Sequence, residues 1–280
     1  MEYTYENGII TVKGLKNYKI SQIFDCGQCF RFNENPDGSW SGIAFAKYIT
    51  LSQTDDMLTI HGITKNEFEN NFRRFLCLDC DYDEIRADIA RRFSGDKTMK
   101  EAMNLGEGIR ILRQEPWECV CSFIISQNNN IPRIKKIIEE ISRKFGEKIG
   151  DGKYAFPTAR ALREAGEEKI FECRTGFRAK YIYDAACKVE SGECDLPLIE
   201  KMTTAQAIEY LEKIKGIGLK VASCALLFGF DKTDAFPVDV WMKRIIDEYY
   251  GGELDIPSLG KYAGIAQQYL FYYIRYKPSA

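Results

Sequence analysis

The residue best placed for chemistry is Lys220, which closely follows the turn Gly216-Ile217-Gly218. Apolar residues at helical spacing on both sides of the turn predict a helix-hairpin-helix over about 203–230. Lys220 then stands in the first turn of the second helix, where a cation opposes the helix dipole. A residue in an unfavourable position for stability is a candidate for function. Burial and the dipole would both favour the neutral amine, which is a nucleophile.

The turn itself suggests a second kind of chemistry. Gly216 and Gly218 predict a turn too tight for side chains at its glycines. Backbone N–H groups at such a turn, and at the N-terminus of the following helix, face outward and can bind a phosphate. Two packed helices with a glycine cap and no ligand are the alternative interpretation.

A carboxylate, Asp239, ends the segment Pro237-Val238-Asp239, nineteen residues after Lys220. Its place after a proline-fixed approach predicts the N-cap of a helix. A carboxylate at a helix N-terminus stays ionised, and it could stabilise the sugar cation that develops as a glycosidic bond breaks. A cap without a catalytic role is the alternative.

Ten cysteines include two C-x-x-C pairs, Cys26/Cys29 and Cys77/Cys80. Four such thiolates could hold zinc. The residues around them, however, resemble a strand and a polar loop entry rather than a zinc knuckle. No cysteine follows Cys224, so the closely spaced C-terminal cysteines of an iron–sulfur site are absent from the sequence. We therefore predict no metal site.

The elements that must position these residues fall into two parts. β-Branched and aromatic runs, separated by Pro-Asp-Gly at 36–38 and Thr-Asp-Asp at 54–56, predict an antiparallel sheet of consecutive hairpins. The predicted strands are 9–12, 29–33, 40–45, 48–53 and 57–60, and two predicted helices follow at 66–75 and 83–93.

From about residue 105 strand signals vanish and helical periodicity replaces them. Apolar residues fall at helical spacing at Ile131, Ile134, Ile138, Ile141 and Phe145. Gly176 is expected to open another helix, and Thr203 with Gln206 predicts a capping box. The predicted fold class is α+β, with an N-terminal antiparallel β-sheet domain (1–104) followed by an all-helical domain (105–280) that contains the hairpin.

The amino-acid composition and net charge limit the classes of function that the protein can have. The chain has 280 residues, 45% hydrophobic and 29% charged, which is ordinary for a globular protein. Its net charge of −2 argues only weakly against nucleic acid, because a local basic face is sufficient for binding DNA. No secretory start and no apolar run of bilayer length occur, so we expect a cytoplasmic protein (nucleoid-associated in a prokaryote), a monomer with no membrane partner.

Five segments, in order along the chain, resemble the motifs of the 8-oxoguanine DNA glycosylases, a branch of the helix-hairpin-helix glycosylase superfamily. They are Gly-Gln-Cys-Phe-Arg-Phe at 27–32, Asn-Asn-Asn-Ile-Pro-Arg at 128–133, Gly-Ile-Gly-Leu-Lys-Val-Ala at 216–222, Pro-Val-Asp at 237–239 and Tyr-Ala-Gly-Ile-Ala-Gln at 262–267, with Phe271 beyond. The resemblance implies that Lys220 and Asp239 are a catalytic pair. It implies excision of 8-oxoguanine from double-stranded DNA, opposite cytosine, through a lysine Schiff base and β-elimination, without cofactor or metal.

The resemblance also implies a pocket for the flipped base. Phe271 and Cys224 would form its two walls, and the Gln267 amide would read the pairing edge of a purine. In 8-oxoguanine N7 carries a proton, whereas in guanine N7 is an acceptor. The carbonyl of Gly27 would therefore select the oxidised base. Core residues at helical spacing are the alternative for Phe271 and Cys224.

Four further residues are implied as contacts around the vacated site. Asn128 would fill the space that the base leaves, and Phe177 would stack beside the orphaned partner. Arg133 and Arg178 would donate to O2 and N3 of cytosine, which suits a guanidinium because it carries donors only. A core aromatic is the alternative for Phe177, and phosphate contacts are the alternative for the arginines.

The sequence departs from the family at Trp241, where vertebrate members carry a histidine. The single histidine, His61, lies in a predicted strand far from the motifs and is expected to be structural. Three other functions remain open from the residues: a related glycosylase for another damaged base, a non-enzymatic helix-hairpin-helix DNA-binding protein, and a thiol-rich metal or redox protein.

Overall fold

Six strands form one antiparallel sheet in the N-terminal part of the chain. A computed structural model describes residues 2–277, so Met1 and 278–280, at the ends of the two predicted domains, lie outside it. The strands are β1 (Glu2–Glu6), β2 (Ile9–Lys13), β3 (Phe32–Glu34), β4 (Trp40–Ala44), β5 (Lys47–Thr54) and β6 (Met57–His61), in the order β1-β2-β6-β5-β4-β3. The predicted antiparallel sheet is confirmed. β1 was not predicted, and four of its five residues are exposed.

The predicted strand at 29–33 is wrong except at its end. Helix α1 (Ile20–Phe24) and an irregular turn over 25–31 separate β2 from β3, and β2 pairs with β6 instead. The turn contains Gly27, whose φ of +77° is incompatible with a strand. Cys26 packs into the helical core while Cys29 packs under the sheet, so the segment connects the two parts of the protein.

Helices make up most of the remaining chain. They are α2 (Lys65–Glu67), α3 (Arg73–Phe75), α4 (Tyr82–Arg92), α5 (Lys97–Leu105), α6 (Pro116–Ser126), α7 (Ile131–Phe145), α8 (Ala159–Ile170), α9 (Ala179–Ser191), α10 (Thr204–Leu211), α11 (Leu219–Gly229), α12 (Val240–Tyr250) and α13 (Ala263–Tyr276). A π-helical turn, Phe68–Phe72, joins α2 to α3, and a 3-10 turn, Gly176–Arg178, leads into α9. The prediction of an all-helical second part misses one small hairpin, β7 (Lys148–Gly150) with β8 (Lys153–Tyr154).

Capping residues in the sequence correctly predict where several helices begin. The predicted capping box is confirmed at α10, where the Thr203 side chain accepts from the Gln206 backbone and the Gln206 side chain accepts from the Thr203 backbone. α7 begins after Asn130, whose side chain caps the helix, and its apolar stripe is buried as predicted. Burying one such isoleucine contributes about 1.5–3 kcal/mol.

Two apolar cores hold the fold together. One lies under the sheet and the other joins the helices from α4 to α13. Ile85 of α4 and Met103 of α5 belong to the helical core, although both residues precede the predicted domain boundary at 104/105. Among residues 2–277, no helix is long and apolar enough to cross a membrane.

Candidate active site

The predicted hairpin lies between α10 and α11, and its first glycine is required by the structure. Gly216 has φ +78°, and a Cβ there would lie 2.4 Å from the ring of Tyr181. At Gly218 the prediction of a sterically necessary glycine is wrong, since no atom of residues 2–277 lies within 4 Å of a Cβ placed there. The space beside Gly218 is instead open to a ligand.

α11 begins without a protein cap. Gly218 is its N-cap residue and supplies no side-chain hydrogen bond, and Leu219 at the first helical position is 61% exposed. The first N–H groups of an α-helix have no intrahelical acceptor, so this end attracts an anion. Within the described chain, the hairpin therefore presents an uncapped, positively polarised helix end at the surface.

Lys220 extends from the first turn of α11 toward the end of α6. Its Nζ donates to Ser126 Oγ at 3.4 Å and lies 5.9 Å from the centre of the Phe123 ring. α6 and α11 pack closely, because Gly229 leaves room for Cys119, whose Cβ lies 2.9 Å from the position of a Cβ at that glycine. The packing of these two helices fixes the amine in a half-buried position.

Asp239 is the N-cap of α12, as predicted. Its Oδ1 accepts from the backbone N–H groups of Trp241 at 3.0 Å and Met242 at 2.9 Å. Among residues 2–277, Oδ2 has no hydrogen-bond donor. One oxygen therefore fixes the carboxylate to the helix, and the other remains available to a ligand.

One cavity of about 490 Å³ is lined by all six of the predicted catalytic and base-pocket residues. This volume lies within the range of about 300–1,000 Å³ that is usual for small-molecule sites. Its lining includes Gly27, Lys220, Cys224, Asp239, Gln267 and Phe271. The sequence places these side chains up to 244 residues apart (271 minus 27), and the fold brings them to one cavity.

The turn at Gly27 is held from both sides by buried glutamines. Gln28 donates to the carbonyls of Ile23 and Arg110, and the Gln268 amide donates to the carbonyl of Cys26 at 2.7 Å. A Cβ at Gly27 would lie 3.3 Å from the Phe271 ring, in a backbone conformation that favours glycine. Neither glutamine could be assigned a role from the sequence, because Arg110 is far from Gln28 in the chain and Cys26 is far from Gln268.

The side chains that surround the cavity are largely apolar or uncharged. Cys224 is buried, which raises the pKa of its thiol to about 11 although Lys220 opposes the shift, so the thiol stays protonated at neutral pH. Gln267 is 4% exposed, which keeps its amide inside the cavity rather than in solvent. Phe271 is half-buried beside Gly27. The cavity can thus enclose a flat, polar-edged ring.

The triple asparagine forms the loop between α6 and α7, and each residue has a different function in it. Asn130 caps α7, and the Asn129 amide donates to the Ile125 carbonyl at 3.1 Å. Asn128 is exposed, with φ +46°. Asparagine tolerates this left-handed conformation better than most residues. The loop therefore presents the Asn128 side chain outward.

Arg178 supports that loop from beneath. Its side chain is buried, and its Nε and Nη2 atoms donate to the carbonyls of Gln127 and Asn128 while Nη1 donates to Thr175. Burial lowers the pKa of Arg178, and the nearby Arg133 lowers it further. In this structure Arg178 thus holds the loop.

Phe177 and Arg133 are the exposed members of this group. Phe177 is 48% exposed with the Arg178 guanidinium 4.5 Å from its ring centre, which excludes the alternative that Phe177 is a core aromatic. Arg133 is exposed at the start of α7. Asn128, Arg133, Phe177 and Arg178 lie outside the cavity lining, near its rim at Asn129.

Comparisons with known proteins agree with this geometry. The family model described as "8-oxoguanine DNA glycosylase, N-terminal domain" matches residues 11–120, and "HhH-GPD superfamily base excision DNA repair protein" matches 121–258. The N-glycosylase/DNA lyase OGG1 of Arabidopsis thaliana is 30% identical, over 89% of this chain and 75% of that protein. The chain belongs to the 8-oxoguanine DNA glycosylase family.

Solved structures of the family superpose along almost the whole chain. The 8-oxoguanine glycosylase/lyase of Clostridium acetobutylicum, in its apo form, has a TM-score of 0.91 and 40% identity, covering 97% of this chain and 98% of that one. The same protein in complex with double-stranded DNA containing cytosine opposite 8-oxoG has a TM-score of 0.90 and 39% identity, covering 98% of each chain. The predicted α+β fold is confirmed.

Among the cavity residues of this 8-oxoguanine DNA glycosylase family member without a predicted pocket role are Trp241 and Arg275. Trp241 lines the cavity and is 40% exposed. Arg275 lies one turn beyond Phe271, and its buried Nη1 has no hydrogen-bond partner within the described chain. A helical spacing from Gln267 and Phe271 could have indicated Arg275.

The two C-x-x-C pairs do not meet in this family member. Within residues 2–277, the potential metal ligands that converge are Cys77, Asp79 and Cys80, whose ligand atoms lie within 4.8 Å of one another. Cys26 and Cys29 point into different cores. The four thiols therefore do not form a common site.

Proposed function

We propose that the protein is a bifunctional DNA glycosylase and AP lyase that excises 8-oxoguanine from duplex DNA. The observation that carries the proposal is the cavity in which Lys220, Asp239 and Gln267 meet, beside the uncapped end of α11. The residues that this chemistry needs all belong to one chain, so a second copy is not required to complete the site, and we propose that the protein acts as a monomer. Its substrate would place it with the cell's DNA, in the cytoplasm or at the nucleoid.

Access to the base requires extrusion from the double helix. An enzyme acting on a base within a duplex must flip it out of the stack. Asn128, exposed on a loop fixed by Arg178, is positioned to enter the vacated space. The exposed ring of Phe177 can stack beside the orphaned partner. The hairpin at Gly216 and Gly218, with the N-terminus of α11, would hold a backbone phosphate.

The flipped base would lie between Phe271 and Cys224. The Gln267 amide has both a donor and an acceptor for the pairing edge of a purine. The Gly27 carbonyl would accept the N7 proton of 8-oxoguanine and repel the N7 lone pair of guanine. A protonated thiol at Cys224 suits this wall, because it adds no charge beside the base.

The chemical steps are assigned to two residues. The amine of Lys220 attacks C1′ of the deoxyribose as the bond to the base breaks, and the base leaves. Asp239 stabilises the positive charge that develops on the sugar, as carboxylates do in glycoside cleavage. The sugar ring then opens to an imine with Lys220. Loss of a C2′ proton from that imine expels the 3′-phosphate and cleaves the strand.

Substrate specificity tests the proposal directly. The protein is incubated with matched duplexes that contain 8-oxoguanine, guanine, uracil or an alkylated purine, with and without borohydride. We expect base release and borohydride trapping with the 8-oxoguanine duplex alone. Preferential release of another base would identify a different glycosylase, and tight binding without any release would identify a DNA-binding module.

We predict that Arg133→Ala relaxes the preference for cytosine opposite the lesion. Arg133 is exposed, whereas the donors of Arg178 are directed to backbone carbonyls, so Arg133 is the more available group for cytosine O2 and N3. The ratio of excision rates opposite cytosine and adenine should fall by about 10- to 100-fold, corresponding to roughly 1–3 kcal/mol of discrimination.

Single-turnover excision from the two duplexes measures this ratio. Arg143→Ala is the matched control, since Arg143 is an exposed arginine at the other end of α7 that pairs with Glu140. It should leave the ratio unchanged. An equal loss of binding to both duplexes by Arg133→Ala would instead assign Arg133 to a phosphate.

A further inference from the structure

The pair Cys77 and Cys80 has no part in the proposed excision chemistry. It lies between α3 and α4, where Cys77 adopts a left-handed conformation with φ +52°. The two sulfur atoms lie within 4.8 Å of each other. Cys77 is 5% exposed, whereas Cys80 is partly exposed and lines a small cavity of about 270 Å³ together with Asp79 and Arg113.

The Cys80 thiol donates a hydrogen bond to Asp79 Oδ1 at 3.6 Å, and neighbouring groups shift its pKa in both directions. Interaction with Cys77 lowers the pKa of the Cys80 thiol, and the Arg113 guanidinium lowers it further, against burial and the charges of Asp79 and Asp231. The same interaction and burial raise the pKa of Cys77 well above its usual value. One sulfur is therefore accessible and acidic, and its neighbour is a buried thiol. A lowered thiol pKa and partial exposure are features of reactive cysteines.

The alternative use of the pair is a metal site with Asp79 as third ligand. Arg113 Nη1 lies 3.0 and 3.1 Å from the two oxygens of Asp79, and Arg113 Nε lies 3.0 Å from Asp231. The guanidinium thus occupies the carboxylate that a metal would need as its third ligand.

We propose that Cys77 and Cys80 form an oxidisable dithiol, which hydrogen peroxide converts to a disulfide. The Cys80 thiolate attacks one peroxide oxygen, the O–O bond breaks, and the hydroxide released takes a proton to become water. Cys77 then loses its thiol proton, its sulfur attacks the Cys80 sulfenic acid, and the S–O bond breaks to release a second water. Two thiols are oxidised by two electrons, and one peroxide is reduced to two waters.

The test uses the full chain, treated with hydrogen peroxide under native conditions. We expect a loss of two of the ten thiols, a mass loss of two hydrogen atoms, and a peptide that links Cys77 to Cys80. Treatment with a dithiol reductant should restore both thiols. Persistence of both thiols, or a disulfide between other cysteines in their place, would overturn the proposal.

Variants separate the two sulfurs. Cys77→Ser should stop the reaction at a Cys80 sulfenic acid, which dimedone traps, whereas Cys80→Ser should abolish it. Cys187→Ser is the matched control, because Cys187 is the other partly exposed cysteine, and it should still form the disulfide. Stoichiometric zinc in the purified protein, lost in Cys80→Ser, would show a metal site and overturn the proposal. The measurement on the unmutated protein is decisive even if Cys77→Ser fails to fold.

Discussion

We expect Lys220→Gln to abolish both base release and borohydride trapping while DNA binding is retained. The nitrogen of an amide has a delocalised lone pair, so glutamine cannot attack C1′ or form an imine. We expect the excision rate to fall by several orders of magnitude. The fold should persist, because the only hydrogen bond from Lys220 Nζ within the described chain is a long one, 3.4 Å, to Ser126.

Lys97→Gln is the matched control for this result. Lys97 is a surface lysine on α5, 88% exposed in its side chain and outside the cavity lining. The Lys97→Gln variant should be trapped on DNA by borohydride as efficiently as the unmutated protein. Denaturant unfolding and lesion binding are the measurements that test whether Lys220→Gln is folded. A covalent complex that still forms with Lys220→Gln would assign the nucleophile to another amine.

Asp239→Asn should slow excision by about 10²- to 10³-fold, the usual effect of removing one pre-organised electrostatic contact from a transition state. The asparagine oxygen can still accept from the N–H groups of Trp241 and Met242, so α12 keeps its cap. The charge is lost, and with it the stabilisation of the sugar cation. Binding of the lesion should change little.

Single-turnover excision and equilibrium unfolding together separate the two functions of Asp239. Asp239→Ala removes both the charge and the helix cap. Its free energy of unfolding should be lower than that of Asp239→Asn by about 0.5–2 kcal/mol. An excision rate for Asp239→Asn close to that of the unmutated protein would leave Asp239 as a helix cap only.

Features that depend on neighbouring residues could be predicted from the sequence alone. A glycine such as Gly216 permits a positive φ wherever it stands, and the side chains of Thr203 and Asp239 cap the helices that begin just after them. Apolar periodicity determined α7. These interactions span a few residues, so local composition specifies them. The family motifs could be recognised in the sequence for the same reason, since each is a short segment.

Which of these segments contact one another depends on the tertiary structure. Gly27 requires its small size because Phe271, from the other end of the chain, packs against it, and Gln28 and Gln268 fix that turn through distant carbonyls. The same long-range contacts draw 25–31 out of the sheet, where alternation alone predicted a strand. The sequence is compatible with Arg178 as an exposed contact to DNA, whereas in the structure Arg178 is buried beneath Asn128. Burial and long-range hydrogen bonds depend on how the elements pack, and no local pattern records that packing.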